Sequence, residues 1–297
     1  MRVQSLLRAV AVVLTGLAGG SAAYASFHIM QIEQVIGGVD GDTSAQAIQL
    51  RMRAAGQNLV SNARLIVRDA AGLNPIIVKD MTSNVANSSA GDRVLIVSSN
   101  FVSQTTPAVS PDFVMTAPIP ASYLAAGRLT FEDDGGTIYW SLSWGGTNYT
   151  GSNTGNITND PDGNFGPAFG GPLPSTNSSA LFFTGSATAA SANNLADYAV
   201  TPGPATFTNN ARQQFVVFKP RITAITQESN DIRVIWTTIA GKTNFLQRSA
   251  GTTDDNYSTN YADIFIVTNV VGSATNYLDN GAVTNFPASY YRVRLVP

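Results

Sequence analysis

The residues of this chain best suited to chemistry are oxygen ligands. Asn159-Asp160-Pro161-Asp162-Gly163-Asn164 sets Asp160, Asp162 and Asn164 two positions apart, and a turning backbone could aim all three at one calcium ion, which takes hard oxygen donors. It is not an EF-hand loop. Counted from Asp160, the sixth position is Phe165 and the twelfth Gly171, where glycine and glutamate are required. An Asp-Pro-Asp-Gly turn without metal accounts for the same residues. Glu132-Asp133-Asp134-Gly135-Gly136 gathers three carboxylates, as a glycosidase or metal site does. It falls, however, between Leu129-Thr130-Phe131 and Thr137-Ile138-Tyr139-Trp140, where Asp-Gly is hairpin-turn chemistry. Neighbouring carboxylates at a hairpin tip point apart, unlike the spaced acid and base of a glycosidase. Asp40-Gly41-Asp42 has no third spaced ligand and reads as a connecting loop.

Other reactive side chains are few. The chain has no cysteine, which excludes a disulfide framework, a thiolate nucleophile and a cysteine-ligated metal. Its one histidine, His28, is the single base open to a Ser-His-Asp triad, and no Gly-x-Ser-x-Gly elbow accompanies it. Six aromatics, Tyr139, Trp140, Trp144, Tyr149, Phe165 and Phe169, invite a sugar-stacking reading. Period two divides them: Ile138, Trp140, Leu142 and Trp144 share an apolar face, so the tryptophans read as core. Tyr149, Phe165 and Phe169 lie among loop residues and are the candidate ligand-binding side chains.

The elements that must position these groups are strands. Leu65 and Val67, Val94 and Ile96, Leu129 and Phe131, Ile232, Val234 and Trp236, and Tyr291, Val293 and Leu295 alternate with polar residues. Three lysines and three glutamates in 297 residues leave little helix-forming material, whereas Asn, Gly, Thr and Ser fill the gaps as turns do. The spacing predicts an all-β protein with one short helical turn over residues 120–126, stopped by Gly127. Residues 145–194 are dominated by Gly, Ser, Thr, Asn and Pro, with Leu181-Phe182-Phe183 as their one strongly apolar cluster. Long loops there are where binding is expected.

At the start of the chain, Arg2 and Arg8 precede an apolar run from Ala9 to Ala18 and then Ala23-Tyr24-Ala25, the pattern of a secretory signal peptide cleaved before Ser26. The run is about half of the roughly 20 residues a membrane span needs, and no second segment of spanning length follows. Without Arg2 and Arg8, 15 basic residues face 19 acidic ones, a mild balance that implies no nucleic-acid partner and no polybasic membrane patch. Apolar residues at 44% and charged residues at 12% are those of a folding chain.

Residues 26–210 resemble a lamin-tail-like domain of exported bacterial proteins. The resemblance rests on Ile32-Glu33-Gln34-Val35, Gly37-Gly38, Ile48-Gln49-Leu50, Asp69-Ala70-Ala71-Gly72, Ala90-Gly91-Asp92-Arg93-Val94-Leu95-Ile96, Phe131-Glu132-Asp133 through Trp144-Gly145, and Asn194-Leu195-Ala196-Asp197-Tyr198. Where such domains often carry Glu-Leu, a polar residue and Asn, this chain has Gln49-Leu50-Arg51-Met52, so an interaction through that glutamate is not carried over. Residues 211–219 read as a linker. Residues 220–297 resemble a fibronectin type III-like domain through Ile232-Arg233-Val234-Ile235-Trp236, Gly241-Lys242-Thr243-Asn244-Phe245-Leu246-Gln247-Arg248-Ser249 and Tyr290-Tyr291-Arg292-Val293-Arg294. The segment is short for a seven-stranded sandwich, so its last strand is expected to be missing or incomplete.

Both resemblances imply immunoglobulin-like β-sandwiches in tandem, used for attachment and presentation, without implying a reaction. The expectation is an exported, non-catalytic protein that meets an extracellular glycan or protein. The alternatives are a carbohydrate-binding module using the loop aromatics, or a carboxylate- or calcium-dependent hydrolase drawing on Glu33, Glu132, Asp133, Asp160 and Asp162.

Overall fold

The computed structural model describes residues 27–155, 163–218, 220–238, 243–251, 259–268 and 272–296; the expected leader lies outside them. The protein is all-β, as its alternation dictates, and its longest α-helix among the described residues has four residues. No helix there is long and apolar enough to cross a membrane.

The strands are β1 (Met30–Ile36), β2 (Ala47–Met52), β3 (Ala63–Arg68), β4 (Ile76–Asp80), β5 (Arg93–Val97), β6 (Thr105–Thr106), β7 (Phe113–Val114), β8 (Gly127–Asp133), β9 (Ile138–Trp144), β10 (Leu181–Phe183), β11 (Tyr198–Val200), β12 (Thr206–Thr208) and β13 (Gln214–Val217). The second group comprises β14 (Ile222–Glu228), β15 (Asp231–Thr237), β16 (Thr243–Gly251), β17 (Ala262–Val267), β18 (Ala274–Asp279) and β19 (Ala288–Val296). A six-stranded sheet, ordered β11-β10-β1-β2-β5-β7, faces a four-stranded sheet, β4-β3-β8-β9. Between them Met30, Ile32, Leu50, Val94 and Ile96 meet Leu65, Leu129, Phe131, Trp140 and Trp144, all fully buried.

The back of the six-stranded sheet is covered over part of its area by a small third sheet, β12-β13-β6. Ile36, Ala47, Leu95 and Val97 pack there against Phe101, Phe207, Phe215 and Val217. Strand β1 changes phase along its length to serve both interiors. Ile32 pairs with Leu50 and Gln34 with Gln49, so Glu33 is a bulge residue without its own partner on β2.

Two expectations are corrected. Residues 211–219 are mostly not a linker: β13 pairs with β12 and β6, and the Arg212 guanidinium binds Asp92. Two short strands, with few alternations to reveal them, hid this. The helical turn over 120–126 reduces to a 3-10 turn, Ala121–Tyr123, and Gly127 begins β8.

The second group forms two three-stranded sheets, β14-β15-β18 and β17-β16-β19, over Val234, Trp236 and Leu246. Six strands make this sandwich among the described residues. Strand β19 pairs with β16 from Ala288 to Val296. The side chain of Leu295 and residues Gly241 and Lys242 lie outside the described set.

Candidate functional site

The glycine-rich segment after β9 folds back onto the sheet. Gly145 has φ +102°, and a Cβ there would lie 2.4 Å from the Cβ of Ala126, so the chain leaves the strand through a corner that excludes a side chain. The amide of Gly145 donates to Gly171 O, that of Gly146 to Phe169 O and that of Phe169 to Ser143 O, at 2.8–2.9 Å. Further on, Thr150 N donates to Ala70 O at 2.8 Å and the Tyr149 hydroxyl to Ser152 O at 2.8 Å. Ser143 Oγ bonds Asn153 Oδ1 at 2.5 Å. The polar face of β9 is therefore covered too: Ser141 and Ser143 are fully buried beside the buried carboxamide of Asn194.

This return leaves a depression of about 540 Å³ at the loop end of the sandwich, bordered by Tyr149, Asn153, Pro167, Ala168, Gly170 and Leu195. Leu195 is 53% exposed on a four-residue helix, Asn194–Asp197, capped by the Asn193 side chain. It is a large apolar side chain at the rim of the depression that is open to a ligand. Sequence reasoning placed Leu195 in a resemblance motif but not in a site, because nothing local marks a leucine as exposed.

The loop aromatics are corrected accordingly. Phe165 is 0% exposed, its ring edge-on to Trp140 at 5.8 Å. Tyr149 is 7% exposed and presents only part of itself to the depression; burial pushes its hydroxyl pKa up, with Arg128 pulling the other way. Phe169 is half-buried against the main core. The rings anchor the returning loop, because a loop otherwise made of Gly, Ser and Asn has little else apolar to hold it down. Phe165 therefore offers no open stacking face.

Asp160 and Asp162 lie outside the described residues. Asn164 is exposed, and its Oδ1 accepts from Gly166 N at 2.9 Å, a local turn bond. Among the described residues no three His, Asp or Glu side chains converge as a metal site would require.

The remaining carboxylates hold structure. Glu132, 2% exposed in β8, meets Arg68 at 3.3 Å and Arg64 at 3.5 Å and accepts from Thr130 Oγ1 at 2.7 Å. Asp133 closes the expected hairpin by accepting from Thr137 N and the Tyr139 hydroxyl, both at 2.8 Å. Burial opposes its charge, but these donors prevail and its pKa falls below the ordinary value. Tyr139 is correspondingly pushed up to about 12 by burial and by Asp133. Glu33 sits on the back of the other sheet, bound by Arg93 at 2.8 and 3.0 Å, away from Glu132 and Asp133. His28 lies against the Tyr139 ring at 5.9 Å.

Fold and site together define an all-β protein of sandwich-like sheets with a loop-end depression. Comparison of the chain with protein-family models, curated proteins and solved structures finds no match in any of the three.

Proposed function

We propose that the chain is an exported, non-catalytic protein of two immunoglobulin-like β-sandwich domains that acts in attachment, presentation or matrix binding at or outside the cell surface. The observation that carries this reading is the depression around Leu195: a rigid scaffold, fixed by backbone hydrogen bonds, holds an exposed apolar group beside amide and backbone polar groups. Such a mixture suits contact with an extracellular glycan or protein surface. The lamin-tail-like and fibronectin type III-like resemblances support it through what they imply, β-sandwich scaffolds used for attachment and presentation. The leader pattern through Ala25 supports export.

The test is binding of the mature chain to immobilised extracellular polymer and to a glycan array, beside a panel of hydrolase substrates. Saturable binding lost in Leu195→Asp, with no turnover, is the expected result. Robust turnover by the wild-type chain, abolished by a point substitution, overturns the reading.

A further inference from the structure

On the back of the six-stranded sheet, beyond the edge of the third sheet, three arginines from distant parts of the chain meet. Arg51 of β2 and Arg93 of β5 stand opposite each other in register. Arg212 comes from the turn between β12 and β13. Together with Thr208, Asn209 and Gln214 they border a polar cleft of about 390 Å³.

The three cations face two anions. Arg93 grips Glu33 through Nε and Nη2 at 2.8 and 3.0 Å, and Arg212 grips Asp92 through Nε and Nη2 at 2.8 and 3.1 Å. Arg51 shares Glu33 with Arg93, at 3.5 Å, and 28% of its side chain is exposed, so three guanidinium groups meet only two carboxylates at the cleft. An oxyanion entering the cleft would meet that excess positive charge as a charge-assisted partner. Asp112 borders the neighbouring depression, not this one.

Arg212 adds a second, independent observation. Its φ is +64°, in the left-handed region where Asn or Gly is the ordinary occupant. Its guanidinium lies against Asp92 and Ser89 at the cleft wall, with 61% of the side chain still exposed.

We infer that this cleft binds the carboxylate or sulfate of an acidic glycan. Arg51 pairs with the oxyanion, with Arg212 beside it, and Thr208 and Gln214 offer hydroxyl and amide groups to the sugar hydroxyls. The volume accepts one or two sugar rings, being near the low end of the roughly 300–1,000 Å³ of small-ligand sites, and no aromatic side chain borders it. The site is separate from the depression around Leu195, so either can fail alone.

The test is calorimetric titration of the mature chain with trigalacturonate, a sulfated oligosaccharide, a neutral trisaccharide and poly-glutamate at fixed ionic strength. One acidic sugar, carboxylated or sulfated, should bind at a single site, and the neutral one should not. Arg51→Gln should weaken that binding tenfold or more, as loss of a charge-assisted contact does. Arg294→Gln, in the second sandwich, should leave it unchanged. If Arg51→Gln does not fold, Arg212→Lys and Gln214→Ala, both altering exposed side chains, carry the same comparison. Absence of saturable binding, binding unmoved by these substitutions, or equal binding of poly-glutamate overturns the inference.

Discussion

Asp112 offers a direct check on the electrostatics of the first sandwich. Its Oδ2 accepts from Leu95 N at 2.7 Å and from Asn210 N at 2.8 Å, tying the β12–β13 turn to β5. Burial without a neutralising cation pushes its pKa up to about 6, the two N–H donors only partly compensating. No lysine or arginine borders the depression it faces. Between the unfolded value near 3.8 and the folded value, the native state holds more protons than the unfolded one, so this group makes stability fall as pH rises through that window. Below it the acid is neutral in both states and costs nothing. Above it the native protein carries a buried charge costing up to about 3 kcal/mol, at about 1.4 kcal/mol per pH unit.

Asp112→Asn keeps one oxygen for both backbone donors and turns its amide to the depression. Urea unfolding at a series of pH values should show the variant close to wild type near pH 4 and about 1–3 kcal/mol more stable near pH 7.5. A variant less stable at pH 7.5, or a difference that does not change with pH, would refute the reasoning.

Three further outcomes follow from the packing. Glu132→Gln strips the counter-charge from Arg64 and Arg68 and should cost about 3 kcal/mol in urea unfolding; a loss under about 1 kcal/mol would mean that water already serves those arginines. In Tyr198→Phe the relay from Trp140 Nε1 through the Tyr198 hydroxyl to Ile32 O, at 2.8 and 2.6 Å, is broken. Two buried groups then lack partners, and tryptophan fluorescence should report about 2 kcal/mol of lost stability. Trp236→Ala empties the centre of the second sandwich and should cost about 3–5 kcal/mol, with limited proteolysis cutting first within residues 220–296.

What the sequence made legible was whatever alternation alone decides. Trp140, Leu142 and Trp144 on β9, Leu129 and Phe131 on β8, and Val234 and Trp236 on β15 are buried as their spacing requires. The Asp134-Gly135 hairpin follows the same local logic. Features that depend on distant chain were not legible. Strands β12 and β13 have three and four residues, too short for a period to appear, so a cover for the sheet read as a linker. Phe165 and Tyr149 sit among turn residues, and only the return of the loop onto β9 buries them. Arg51, Arg93 and Arg212 are separated by 42 and 119 positions, and pairing across β2, β5 and the β12–β13 turn is what brings them together.

The bulge at Glu33 has a consequence for how this sheet can be edited. With Glu33 omitted, Met30, Ile32 and Val35 would face one interior in strict alternation, Gln31, Gln34 and Ile36 the other, and the partners recorded on β2 would stay the same. The ladder is complete without that residue, whereas Arg51 and Arg93 share its carboxylate. Loss of a single codon would thus uncouple architecture from charge, leaving the strand its hydrogen bonds and the arginines without their common counter-ion.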